Sequence, residues 1–418
     1  MEYASGGRLS ARSNSLMKST TGTSAGDAGL AQAASSSGRA RLTRIVCLAI
    51  AATLIVIVLT SIAKFYHPGT GFTALIGFPA GAGGFEAPAL RAIPHVVYDG
   101  SGVYDGQFYA QRALDPLVRD PQVDRAMDLA PFRARRILFS WTAYAVGMGR
   151  PAWILEVYAL QNVAAWLMLA ALLTRWMPPG RPRGLLVWAA CLLSHGLLWS
   201  VRFALLDGPS LALTVWAVRL AEDRRWLASA AVAGLNGLGR ETNVIGVLAQ
   251  PLPDSVRAWG RLLAAAVLVL LPILIWEDYL RSIYRSTILA GAEGQIAVPG
   301  VVVARTVEGL WRAVRIEGLW SPRGLEVCVV VPLLVQAAFV AVRPQVRDPW
   351  WRVAAGYVLL MMIIDRVLWT PSTGAITRVM LPLTVGFNAL LMREQRPGRF
   401  WAWFVGGNLH LIPALGVL

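Results

Sequence analysis

A chain of 418 residues that is 56% hydrophobic and only 15% charged, with a mean hydropathy of +0.53, carries too much apolar surface for an ordinary soluble fold. Its formal charge of +15 does not point to nucleic acid, because the basic residues are almost all arginine and sit at the ends of apolar blocks, where they orient a chain in a bilayer. Cys47, Cys191 and Cys328 lie in apolar segments without CxxC spacing, which indicates neither a disulfide framework nor a zinc site.

Residues 1–41 are rich in Ser, Gly, Ala and Thr, carry scattered basic residues and lack an apolar period, which predicts a disordered cytoplasmic tail. From 42 to 418 the chain reads as one transmembrane unit. The apolar run from Leu42 to Ala63 is too long for a signal-peptide core and is followed by Lys64-Phe65-Tyr66-His67 rather than a small-residue cleavage site, so it is expected to be a retained signal-anchor helix. The stretch 67–150 then forms a long first extracytoplasmic loop with interfacial helices.

Further apolar blocks fall at about 152–174, 184–203, 209–221, 226–238, 243–252, 261–277, 325–342, 351–368, 376–392 and 400–417. With the first, they predict an all-α polytopic transmembrane helical bundle of about eleven helices, with a second long extracytoplasmic loop at 279–323. The turns at 175–183, 219–225, 343–352 and 393–399 each hold at least two arginines, which assigns them to the cytoplasmic side and places the N-terminus there.

The first loop contains the most chemically suggestive stretch, Val97 to Tyr109, in which Val-Tyr-Asp-Gly occurs twice, six residues apart. Asp-Gly favours a turn, and the neighbouring Tyr and Phe side chains suit the headgroup level, which puts Asp99 and Asp105 just outside the bilayer. A carboxylate raised in pKa by such a pocket acts as a general base, whereas an Asx-turn would only shape the loop; both readings stand for these two residues.

Tyr104-Asp105-Gly106-Gln107-Phe108-Tyr109, then Ala113-Leu114-Asp115-Pro116 and Arg135-Arg136-Ile137-Leu138, resemble the start of bacterial GT-C-type membrane glycosyltransferases. Gly239-Arg240-Glu241-Thr242 and Arg378-Val379-Met380-Leu381-Pro382-Leu383 extend the resemblance at matching places in the helix order. It implies a GT-C-like fold, an extracytoplasmic active site at a bacterial inner membrane, and a polyprenyl-phosphate-linked sugar as donor. A hexose or pentose, mannose-like first, would pass to a glycan, lipid or protein acceptor at the cell surface. Asp105, or else Asp99, would be the base. Here forty or so residues separate Asp105 from the first helix, whereas that superfamily keeps its acidic residue close behind it.

An arginine can bind a lipid-phosphate leaving group bidentately as the glycosyl bond breaks, which makes Arg240 and Arg378 the preferred phosphate ligands and Arg135 and Arg136 the secondary ones. Snorkelling to headgroups and anchoring of an interfacial helix are the plainer readings of these four. Tyr104, Gln107, Phe108, Tyr109 and Glu241 are expected at the sugar or acceptor, with Glu241 pairing locally with Arg240; Asp365 and Arg366 are expected to pair in the same way. Asp207 reads as a helix cap, and His195 and His410 as packed residues rather than metal ligands.

No cofactor is implied, and whether a divalent metal assists stays open. The sequence has no GxxxxGK[ST], HExxH or GxSxG, which argues against ATP-driven transport and zinc proteolysis. A transporter or flippase for lipid-linked saccharides, or a noncatalytic subunit of a glycan-assembly complex, is the alternative class. Transport is disfavoured by the lack of an internal repeat and by ionisable residues gathered at the outer ends of the blocks.

Overall fold

A computed structural model describes residues 23–80, 85–99, 104–284, 297–369 and 375–417, with side chains described from 38 onward. Among the described residues the fold is all-α apart from an isolated bridge, His67 with Gly71, and one two-residue parallel pair in the first loop, Phe78–Pro79 with Val97–Tyr98.

Among the described residues, four helices are long and apolar enough to cross a membrane: Gly38–Ala63, Pro151–Leu173, Val256–Tyr284 and Gly324–Val342. A fifth crossing results if the pair Pro182–Leu192 and His195–Arg202, bent by 47°, is one span. By length and composition alone, these helices account for four or five of the eleven expected spans. Hydropathy registers apolar content, whereas a span also needs an unbroken helix, and several blocks are interrupted by their own chemistry. Blocks 226–238 and 243–252 form as two short elements, the helix Trp226–Gly237 and the 3-10 run Glu241–Ala249, with Gly239 between them. Block 376–392 divides into Ala375–Val379 and Leu381–Leu391, the second started by Pro382 in its first turn, where the missing N–H costs nothing.

The expected tail also differs. Residues 1–22 lie outside the described residues, but 23–41 continue the first helix, which runs unbroken over Thr23–Ala63. Alanine-rich and free of proline, this stretch has helix-compatible propensity that a composition argument for disorder overlooks.

The bundle core is built from large side chains withdrawn from solvent, among them Tyr158, Trp166, Trp350, Tyr357 and Phe387. Many buried polar side chains are tied to the backbone, as an apolar interior favours. Arg352, counted with the cytoplasmic turns by sequence, is instead buried, and donates to the carbonyls of Leu248, Ala249 and Gln250 at 2.7, 3.1 and 2.8 Å, closing the end of the 3-10 run. That run presents Arg240 and Glu241 at its other end.

The first loop is folded, not slack. Its short helices Gly106–Arg112, Pro121–Arg125 and Ala130–Arg135 gather around Arg112, whose fully buried guanidinium pairs with Asp115 at 3.1 Å and Asp124 at 2.5 Å. Trp276 donates to the carbonyl of Ala134 at 2.9 Å and Tyr279 to that of Leu117 at 2.7 Å, which fastens the loop to the long helix Val256–Tyr284. Gly106 allows a close approach: a Cβ there would meet the carbonyl oxygen of Phe203 at 2.3 Å.

Candidate functional site

These elements enclose a cavity of about 600 Å³. Five arginines (Arg133, Arg135, Arg136, Arg240, Arg378) and four carboxylates (Asp105, Asp207, Glu241, Glu277) share its lining with Tyr109 and a wall of apolar side chains that includes Ile273, Leu274, Leu360, Ile363 and Leu368. Polar recognition at one side and a hydrocarbon surface at the other suit an amphiphilic ligand with an anionic head.

Asp207 organises the basic side. Arg240 pairs with one of its carboxylate oxygens and Arg378 with the other at 3.2 Å, while the Asp207 side chain is 3% exposed. It is not the helix cap expected from sequence: the cap position of Asp207–Glu222 is Leu206, and no side-chain capping bond forms there. One carboxylate against two guanidiniums leaves a positive charge in excess. The buried Nε of each arginine has no hydrogen-bond partner, so both retain a donor for an incoming anion.

Glu241 does not pair with its neighbour Arg240. Arg240 is extended, with φ −160° and ψ 129°, and successive side chains on extended backbone point to opposite sides. Glu241 therefore meets Arg136 at 3.0 Å. Arg135 meets Glu277 at 2.8 Å, and both remain in the cavity lining.

Asp105 precedes the helix Gly106–Arg112 but makes no side-chain cap to it. Its carboxylate instead accepts from Arg133 at 2.9 Å, and Arg133 also holds Asp128 at 2.7 Å. Burial pushes the Asp105 carboxyl up, but Arg133 and Arg378 outweigh it and hold the group below its ordinary value. The raised pKa expected of a pocket-bound base is thus reversed. The group is ionised at neutral pH, ready to accept a hydrogen bond from a hydroxyl, with 39% of its side chain exposed. Asp99 is solvent-exposed and outside the cavity lining, and residues 100–103 between the two carboxylates lie outside the described residues.

Of the aromatic residues expected at the sugar, only Tyr109 lines the cavity; its hydroxyl accepts from Arg133 at 3.2 Å and Arg136 at 3.3 Å. Both partners are obligate donors, so the phenolic proton is left to donate elsewhere. Phe108 is packed under Arg133, whose guanidinium lies 4.8 Å from the ring centre, and Gln107 is buried away from the cavity. Tyr104 stacks on Phe203 at 4.1 Å and Trp199 at 5.3 Å, and burial pushes its phenol up to about 12 against the pull of Arg378.

That stack reaches back to Arg378. Trp199 donates to His195 Nε2 at 2.7 Å, and His195 Nδ1 lies 3.2 Å from Thr377 Oγ1. His195 is buried as expected, and it links Trp199 to Thr377. His410 is buried as well, with neither ring nitrogen hydrogen-bonded. Asp365 and Arg366 form no ion pair with each other; they line a neighbouring groove.

Sequence reading missed Arg133 and the bridging role of Asp207. Arg133 carried a signal, lying between Phe132 and Arg135-Arg136 in one short basic and aromatic run; Asp207 carried none beyond an acidic residue at the edge of an apolar block. Among the described residues, no group of three or more His, Cys, Asp or Glu side chains is placed to hold a metal ion. No model of a known protein family matches the chain, and no curated protein matches it.

Proposed function

We propose that the chain is a membrane glycosyltransferase that moves a sugar, hexose or pentose, from a polyprenyl-phosphate donor to an acceptor at the outer face of a bacterial inner membrane. The observation that carries this reading is the pairing of Arg240 and Arg378 on the single carboxylate of Asp207, in a cavity that Asp105 and a long apolar wall also line.

The apolar wall takes the start of the prenyl chain. Arg240 and Arg378 take the phosphate, whose negative charge grows as the bond from the anomeric carbon to the phosphate oxygen breaks. An acceptor hydroxyl held by ionised Asp105 attacks the anomeric carbon from the opposite side, with inversion. Its proton becomes acidic as the new C–O bond forms and passes to Asp105 late, which a carboxylate of low basicity permits. Arg133 Nη2 keeps Asp105 aimed while Nη2 and Nε together hold Asp128.

The test is transfer of radiolabelled sugar from a polyprenyl-phosphate donor extract in membranes carrying wild type, Asp105→Asn or Asp99→Asn at matched expression. Loss of transfer in Asp105→Asn alone supports the reading. Equal incorporation in all three removes Asp105 from catalysis and favours a transporter of lipid-linked saccharides or a noncatalytic subunit.

A further inference from the structure

A second concavity of about 1100 Å³ opens beside the first, between the helix Val301–Glu317, the turn Gly324–Glu326 and the turn Arg366–Trp369. The two meet at Val367, which lines both. Four arginines face this groove, Arg305, Arg312, Arg323 and Arg366, against the carboxylates Glu317, Glu326 and Asp365. Arg323 is engaged by Glu317 at 3.0 Å and Arg312 by Glu308 at 2.6 Å, whereas neither Arg305 nor Arg366 has a carboxylate partner among the described residues.

The groove also holds an unmet donor. Trp369 lines it, is 4% exposed, and its indole N–H has no hydrogen-bond partner. A buried N–H left unmatched is costly, so an acceptor atom from outside the chain is the natural counterpart. The volume exceeds the roughly 300–1000 Å³ of sites for drug-sized molecules, which leaves room for more than one sugar ring. Carboxylates set among guanidiniums suit rows of hydroxyls, which donate to the first and accept from the second. The two unpaired arginines call in addition for an anion.

Resting on the transferase reading, we propose that this groove binds the acceptor, and that the acceptor is an acidic saccharide whose reacting hydroxyl passes Val367 to reach Asp105. Arg305 and Arg366 hold its anionic groups, and Trp369 donates to a ring substituent.

The experiment is isothermal titration of the full chain in lipid nanodiscs with tetragalacturonate, against maltotetraose as a neutral probe of equal length. The charged probe is expected to bind with salt-sensitive affinity, at least tenfold more tightly than the neutral one. The double variant Arg305→Ala/Arg366→Ala, altered only at exposed side chains, loses that preference, and Trp369→Phe weakens binding several-fold. Equal binding of both probes, or charged binding unchanged in the double variant, overturns the assignment. Binding is read without turnover, so the two readings fail separately: wild type that binds the charged probe but transfers no label overturns the transferase reading and the acceptor role with it.

Discussion

The indole N–H of Trp199 donates to Nε2 of His195 at 2.7 Å, which makes Nδ1 the protonated nitrogen of the neutral imidazole. Nδ1–H then faces Thr377 Oγ1, one residue before Arg378. His195→Ala is expected to raise the donor KM about tenfold with kcat nearly unchanged, a change of about 1.4 kcal/mol that fits the loss of a buried hydrogen-bonded link. His195→Asn, which keeps a donor toward Thr377, recovers most of the affinity. Initial rates across donor concentration decide it: an unchanged KM in His195→Ala removes the positioning role.

Asp207→Asn leaves two buried guanidiniums without their shared ion-pair partner. Breaking a buried pair in this way costs about 3–5 kcal/mol, so the variant should melt well below wild type in detergent. Adding Arg240→Met removes one of the stranded charges and is expected to restore part of the melting temperature without restoring sugar transfer. Recovery of transfer in the double variant would take Arg240 out of phosphate binding.

The pH response follows from the lowered Asp105 pKa. A carboxyl depressed in the folded state stabilises the fold above its unfolded pKa, about 3.9 for aspartate, and loses that contribution as pH falls through its folded value. The acid limb of kcat against pH therefore lies below the ordinary carboxylate range. In Arg133→Met, with the largest lowering influence gone, that limb moves upward, as a pH–rate profile of the purified variant reads out; a limb that stays put assigns it to another group.

Gly196 lies against the backbone of Thr377 and Arg378, where a Cβ would come within 2.6 Å of the Thr377 carbonyl. Gly196→Ala should displace the segment that carries Arg378, costing about 1–3 kcal/mol of stability as overpacking does and weakening donor binding. A variant with wild-type melting and donor KM shows that the segment yields without consequence.

The long apolar helices were legible because long apolar runs with arginine flanks leave few other outcomes, while Arg240 and Arg378 stood out as charges at the ends of such runs and Asp105 as a carboxylate in a glycine-rich, aromatic loop. The ion pairing was not. Asp207 joins residues 33 and 171 positions away, and only the packing of three separate elements brings them together. The same limit explains Glu241: adjacency in sequence suggested Arg240 as its partner, but extended backbone turned the two side chains apart. Several apolar blocks form helices shorter than a span, with glycine or proline at their breaks, a local feature that average hydropathy reads straight through.

The helix Val256–Tyr284 has only 11% of its most apolar window buried, yet its Ile273 and Leu274 face the cavity. In the proposed setting one flank of the reaction chamber is thus closed by lipid rather than by protein. The solvent around the enzyme becomes a working part of it: a change of acyl length or a switch to detergent reshapes the chamber without altering a residue, and rates measured in two bilayers compare two different sites.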